Sequence, residues 1–113
     1  MTAKNLLSAA PPYPIEQAIK HLGVNLRTAR LRRNLTIKEV AQKIGTGLRA
    51  VMDAEKGKPS TGIVVYTALL WTYDLLGPVS ELADPARDEE GLTLELSRGR
   101  VRARITEGLD SDF

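Results

Sequence analysis

The side chains in this sequence that can do chemistry are cations, and their chemistry is anion recognition rather than bond making. His21 is the single histidine, cysteine is absent, and no glycine-rich phosphate loop or carboxylate pair stands beside a nucleophile. That inventory predicts no catalytic residue, no metal site and no cofactor; His21 reads as a surface or boundary residue. What remains is a cluster of donors: Lys38, Lys43, Lys56 and Lys58 with the hydroxyls of Thr36 and Thr46, all suited to phosphate, and Arg49. A guanidinium such as Arg49 can grip guanine O6 and N7 in two hydrogen bonds. Charge is also unevenly spread. Up to Ser60 the chain has eleven Lys/Arg against four Asp/Glu; from Thr61 it has five against ten. A basic half joined to an acidic half points to one surface for nucleic acid and another for a different task.

The elements that would position these donors are helical. Residues 1–14 read as a loosely held arm, broken by Pro11, Pro12 and Pro14, with Pro14 suited to the first turn of a following helix. Met1 to Ala10 has one lysine and a brief Leu6-Leu7 pair, which is no signal-peptide pattern, and no apolar run is long enough to span a membrane. Ile15, Ile19, Leu22, Leu26 and Ala29 then share one helix face, with Gly23 marking a bend or a close contact and Arg33-Asn34 the end. Thr36-Ile37-Lys38-Glu39 is a capping box. It opens a short helix with Ile37, Val40, Ala41 and Ile44 inward, stopped by Gly45 in a tight turn. Another short helix starts near Gly47 or Leu48, with Leu48, Val51 and Ala54 or Glu55 on one side, and stops at Gly57. Beyond the loop at 58–62 an apolar helix is expected from Ile63 to Leu76, through Ile63, Val64, Thr67, Leu70, Trp71 and Leu75, then a fifth from Pro78 to Ala83. Leu92, Leu94, Leu96, Val101, Ala103 and Ile105 alternate with polar residues. That is a strand period with a turn at Ser97-Arg98-Gly99, although a helix through 92–96 also fits.

Two short helices around a glycine turn suit DNA: the first crosses the phosphates and the second enters the major groove. Leu35-Thr36-Ile37-Lys38-Glu39-Val40-Ala41-Gln42-Lys43-Ile44-Gly45-Thr46, continuing to Val51-Met52-Asp53-Ala54-Glu55-Lys56-Gly57, resembles the Xre/Cro-repressor helix-turn-helix family over roughly residues 22–76. The resemblance implies an all-α, lambda-repressor-like bundle of about five helices. It implies that Gly47, Leu48, Arg49, Met52 and Asp53 face bases, and that Arg30 pairs with Glu55. The family often has Gln where this chain has Ile37, and only Arg49 is a good direct reader. Leu48 and Met52 either touch thymine methyls or complete the core. Asp53 would repel phosphate unless it accepts from cytosine N4 or pairs with Arg49.

Glu55-Lys56-Gly57-Lys58-Pro59-Ser60, Tyr66, Leu70-Trp71 and the run from Leu82 to Leu92 resemble the HipB-like subset of antitoxins. That implies a homodimeric, cytoplasmic, nucleoid-associated repressor of bacterial type on a palindromic operator, bound by a HipA-like kinase toxin. A toxin-free phage or metabolic repressor, and an interaction scaffold without DNA binding, are the other readings. The domain layout is then a 1–14 arm, a 15–84 DNA-binding domain and an 85–113 extension for dimerisation or partner binding. Trp71, Leu75 and Leu82 are the expected dimer or partner surface, or Trp71 is merely a core anchor. Val101, Ala103 and Ile105 either pair as a strand across a dimer axis or belong to a basic arm with Arg98, Arg100, Arg102 and Arg104. The acidic tail ending in Phe113 either docks in a partner or stands idle.

Overall fold

Pro14, second in its helix where a missing N–H costs nothing, starts the longest helix of the basic half. The structure is a computed structural model that describes residues 6–110, with side chains described except at position 101 and positions 106–110. Its elements are α1 (Leu6–Ala9), α2 (Tyr13–Arg32), α3 (Ile37–Ile44), α4 (Leu48–Glu55), α5 (Ile63–Thr72), two short 3-10 turns (Gly77–Glu81 and Pro85–Arg87) and α6 (Glu89–Asp110). The regular elements among the described residues are all helical, with no strand. By internal contacts the chain divides into two units, Met1–Val79 and Ser80–Phe113. The sequence pattern had placed that boundary after Asp84.

The first unit is a bundle in which α4 packs on α2, α3 and α5, and α3 packs on α5. Its core is Leu26, Ala29, Val40, Ala41, Val51, Ala54, Tyr66, Leu69 and Tyr73, rimmed by half-buried Ile19, Leu22, Leu35, Ile37, Ile44, Val65 and Leu70. Gly23 allows the crossing of α2 and α4. A Cβ there would stand 2.6 Å from the Glu55 carbonyl oxygen, 2.7 Å from that of Ala54 and 2.8 Å from the Gly57 nitrogen. Backbone lies on backbone at that point, and no side chain fits. The chain leaves α2 through Asn34 at φ 54°, with the Leu35 N–H donating to the Arg30 carbonyl at 3.2 Å.

Four expectations need correction. The proposed arm contains a helical turn, α1, and α2 begins at Tyr13, ahead of Ile15. The apolar helix ends at Thr72, not Leu76. Asp74 takes a left-handed conformation (φ 58°), and the Leu75 N–H folds back to the Leu70 carbonyl at 2.8 Å, so the helix is terminated before Gly77-Pro78. Its buried residues are Tyr66 and Leu69, joined by Tyr73 just beyond, while Ile63, Val64 and Trp71 are exposed. The fifth helix is only a 3-10 turn.

The alternating segment, expected as a strand or a basic arm with a helix through 92–96 as the alternative, is the helix α6. Asp88 caps it, accepting from the Gly91 N–H at 3.0 Å. Glu89 and Glu90 lie in the first turn, where the helix dipole favours anions. Leu and Arg, both strong helix formers, are the commonest residues in the remainder of the helix. In a helix, Arg98 and Arg102 fall on one side and Arg100 and Arg104 on another, so the four arginines do not share a face.

Candidate nucleic-acid interface

The Thr36 hydroxyl oxygen accepts from the Glu39 N–H at 3.1 Å, and the Thr36 N–H donates to the Glu39 carboxylate at 3.2 Å. This reciprocal cap fixes the start of α3 and leaves the Thr36 hydroxyl hydrogen able to donate elsewhere. Gly45, at φ 77°, ends α3 in the left-handed region, and the Thr46 N–H donates to the Ala41 carbonyl at 2.9 Å. Gly47 then begins α4 with no side-chain cap. The first N–H groups of α4 are therefore of the kind that receive phosphate oxygens.

α4 is held from behind. Val51 and Ala54 are fully buried, while Gly47, Leu48 and Arg49 are exposed and Met52, Asp53 and Glu55 are half-buried. Leu48, 48% exposed, does not complete the core. Met52 lines a shallow cavity of about 270 Å³ with Arg27, Arg30, Ile37, Glu55 and Lys56. Asp53 pairs with Lys58, at 3.8 Å. The Lys58 N–H also donates to the Asp53 carbonyl at 3.0 Å. Lys38, Lys43, Lys56 and Lys58 are exposed, Thr36 is exposed, and Thr46 is half-buried.

The anchor behind this surface is ionic. The Arg30 Nε donates to Glu55 Oε2 at 2.7 Å and Nη2 to Oε1 at 3.0 Å, while Nη1 donates to the Leu35 carbonyl at 2.9 Å. One guanidinium thus ties α2 to the end of α4 and to the segment leading into α3. Both side chains are nearly sealed, at 9% and 6% exposure. Hydrogen bonding to Glu55 raises the Arg30 pKa further, against the opposing effect of burial. Such a pair adds little net stability over an apolar substitute, but stranding one partner is expensive.

Several contributors had no role at the interface assigned from the sequence pattern. Arg27 shares the Met52 and Lys56 cavity from the α2 side, one turn before Arg30. Arg33 donates to the Ala29 and Tyr73 carbonyls, at 2.9 Å each, with its guanidinium 5.4 Å from the Tyr73 ring centre. The Tyr66 hydroxyl donates to the Lys58 carbonyl at 3.3 Å, pinning the loop after α4. These depend on which distant segments meet.

Among the proposed dimer or partner residues, Trp71 is 62% exposed, so it is no core anchor, and Leu75 and Leu82 are exposed too. Ala103 and Ile105 are exposed on α6. Val101 lies within α6 with its side chain outside the described set, and Phe113 lies outside the described residues. No helix among the described residues is long and apolar enough to cross a membrane. Comparison with protein-family models, curated proteins and solved structures returned no match for this chain.

Proposed function

We propose that this chain is a sequence-specific DNA-binding repressor in which α3 and α4 form a helix-turn-helix. The observation that carries this reading is the α3–turn–α4 unit: a capped α3, a left-handed Gly45, and an α4 sealed behind by Val51 and Ala54 while Arg49 projects outward. In this reading α4 lies in the major groove, with Arg49 as the principal base reader and Leu48 against thymine methyl groups. Lys38, Lys43, Thr46, Lys56 and the Thr36 hydroxyl hold phosphates, and Arg27 adds a contact from α2. The Asp53–Lys58 pair keeps the Asp53 carboxylate from repelling the backbone. Base discrimination rests on few contacts, so DNA shape supplies the remainder.

Val64 and Trp71, seven apart on one face of α5 and both exposed, support a homodimer that presents two α4 helices about 34 Å apart to a palindromic operator. The resemblance to HipB-like antitoxins extends the reading to a type II toxin-antitoxin pair. There the chain restrains a HipA-like kinase and represses the operon that encodes both. The exposed Trp71 face equally favours a second reading, an interaction scaffold without DNA binding. A gel shift on the chain's own upstream DNA separates them. A specific shift weakened by Arg49→Ala is expected; a folded dimer that shifts nothing at low salt overturns DNA binding. Co-purification with a kinase encoded by the neighbouring gene tests the antitoxin role.

A further inference from the structure

Three helices contribute to the cavity of about 270 Å³ beside the end of α4: Arg27 and Arg30 from α2, Ile37 from α3, and Met52 and Glu55 from α4, with Lys56 just beyond. Glu55 presents no free acceptor there. Both of its carboxylate oxygens accept from Arg30, at 2.7 and 3.0 Å. Arg30 is not fully spent. Three of its five N–H groups donate, to Glu55 and to the Leu35 carbonyl, which leaves two without a partner among the described residues on a side chain only 9% exposed. Arg27 and Lys56 are exposed, and neither side chain has a partner among the described residues. The cavity wall therefore carries two cations that no described side chain balances.

The remaining wall is apolar. Ile37 and the thioether of Met52, both half-buried, supply it, and no aromatic side chain lines the cavity. A phosphodiester satisfies the cations but offers little apolar surface to Ile37 and Met52. A carboxylate on an aromatic ring answers to both. Its oxygens suit a guanidinium fork and an ammonium, while a ring face packs well against a thioether and beneath a guanidinium. The volume lies just under the range of about 300–1,000 Å³ typical of ligand pockets, which points to a single ring. We propose that this cavity is an effector site for a small aromatic monocarboxylate, its carboxylate held by Arg27 and Lys56 and its ring seated on Met52 and Ile37. The ligand occupies two cations that the DNA-binding reading assigns to phosphate, so it weakens DNA binding. That consequence rests on the DNA-binding reading; the binding itself does not.

Methionine occurs only at positions 1 and 52. In the full-length chain labelled at the methionine methyl with carbon-13, the Met52 signal therefore reports on the cavity directly. The probe is sodium benzoate, titrated without DNA at constant ionic strength. A saturable ring-current shift of the Met52 methyl is expected, with Met1 unmoved. Arg27→Ala and Lys56→Gln, both at exposed positions and checked by circular dichroism, should each weaken binding about tenfold. Benzamide, with the same shape and no charge, should bind about tenfold more weakly too, and inorganic phosphate should displace benzoate poorly. No saturable shift at Met52, or benzamide binding as tightly as benzoate, overturns the proposal. So do variants that bind like the parent. Displacement by phosphate as effective as by benzoate overturns it in favour of a plain anion site. Benzoate added to the gel shift then reads the consequence: a chain that binds DNA equally well with and without it has no effector site here. Failure to bind DNA at all leaves the Met52 titration standing, so the two readings fail separately.

Discussion

The α2–α5 bundle and the segment at 80–110 are built on opposite terms. In the bundle, glycine, arginine and tyrosine all answer to distant neighbours: Gly23 to the α4 backbone, Arg30 to Glu55 and Leu35, Arg33 to Tyr73, Tyr66 to Lys58. In the other segment no described side chain is buried, and its backbone is held by local caps such as those of Asp84 and Asp88. A residue's type therefore means different things in the two regions. Glycine is a packing requirement at position 23 in α2 and a weakness at position 99 in α6.

The comparison can be broken most severely at the buried ion pair. Glu55→Ala leaves the Arg30 guanidinium stranded and is expected to cost about 3–5 kcal/mol by urea unfolding. Replacing both partners with apolar residues of similar size should recover most of that; equal loss in the double variant would show that the pair itself, not the stranded charge, sets the cost. Next comes a matched pair of glycines. Gly23→Ala forces a Cβ into carbonyl oxygens and should destabilise by about 2–3 kcal/mol. Gly99→Ala, read by circular dichroism at concentrations where the chain is monomeric, should stabilise α6 by up to about 1 kcal/mol. Same-sign effects at the two sites would erase the distinction. Thr36→Ala removes half of the capping box and should cost about 1 kcal/mol in thermal unfolding.

The smallest effect is expected at Tyr73. Its hydroxyl is buried with no hydrogen-bond partner among the described residues, so Tyr73→Phe should leave stability at neutral pH within about 1 kcal/mol of the parent, with any change a gain. Burial raises the Tyr73 phenol above the ordinary tyrosine value, with Glu55 adding to the rise while Arg30 and Arg33 oppose it. Burial raises Tyr66 as well. Below the ordinary value both folded and unfolded chains keep these protons. Above it the unfolded chain ionises first, so stability falls as pH climbs. Tyr73→Phe should flatten that alkaline loss, and an unchanged slope would show that Tyr73 ionises as easily folded as unfolded.

What was legible in the sequence is what is decided locally. Thr36 and Glu39 stand three apart, Gly45 and Gly57 stop their helices, and the spacing of Leu22, Leu26 and Ala29 gives the buried face of α2 directly. α5 defeated the same logic, because Ile63, Val64, Val65, Leu69, Leu70 and Trp71 leave no polar side from which to orient it. Only packing against α3 and α4 selects Tyr66 and Leu69 for burial. In α6 the alternation of Leu92, Leu94 and Leu96 satisfied a strand period, yet the same leucines make two ridges on a helix. The local signal that decides between them, Asp88 followed by Glu89 and Glu90, was present but competed with the alternation. Of the proposed interface, the placement of Arg49 followed from the motif, whereas Arg27 and the Asp53–Lys58 pair required the folded chain.

The measurement that bears most directly on DNA binding is the salt dependence of affinity for the chain's own upstream DNA, by fluorescence anisotropy. If Lys38, Lys43, Lys56 and Arg27 each neutralise one phosphate, log affinity per bound chain should fall against log salt with a slope of about −4, and Lys43→Ala should reduce that slope by about one. Arg49→Ala should in addition narrow the gap between specific and scrambled DNA. A folded chain whose affinity for DNA is negligible at low salt, or does not change with salt, would contradict the reading of α3 and α4 as a nucleic-acid interface.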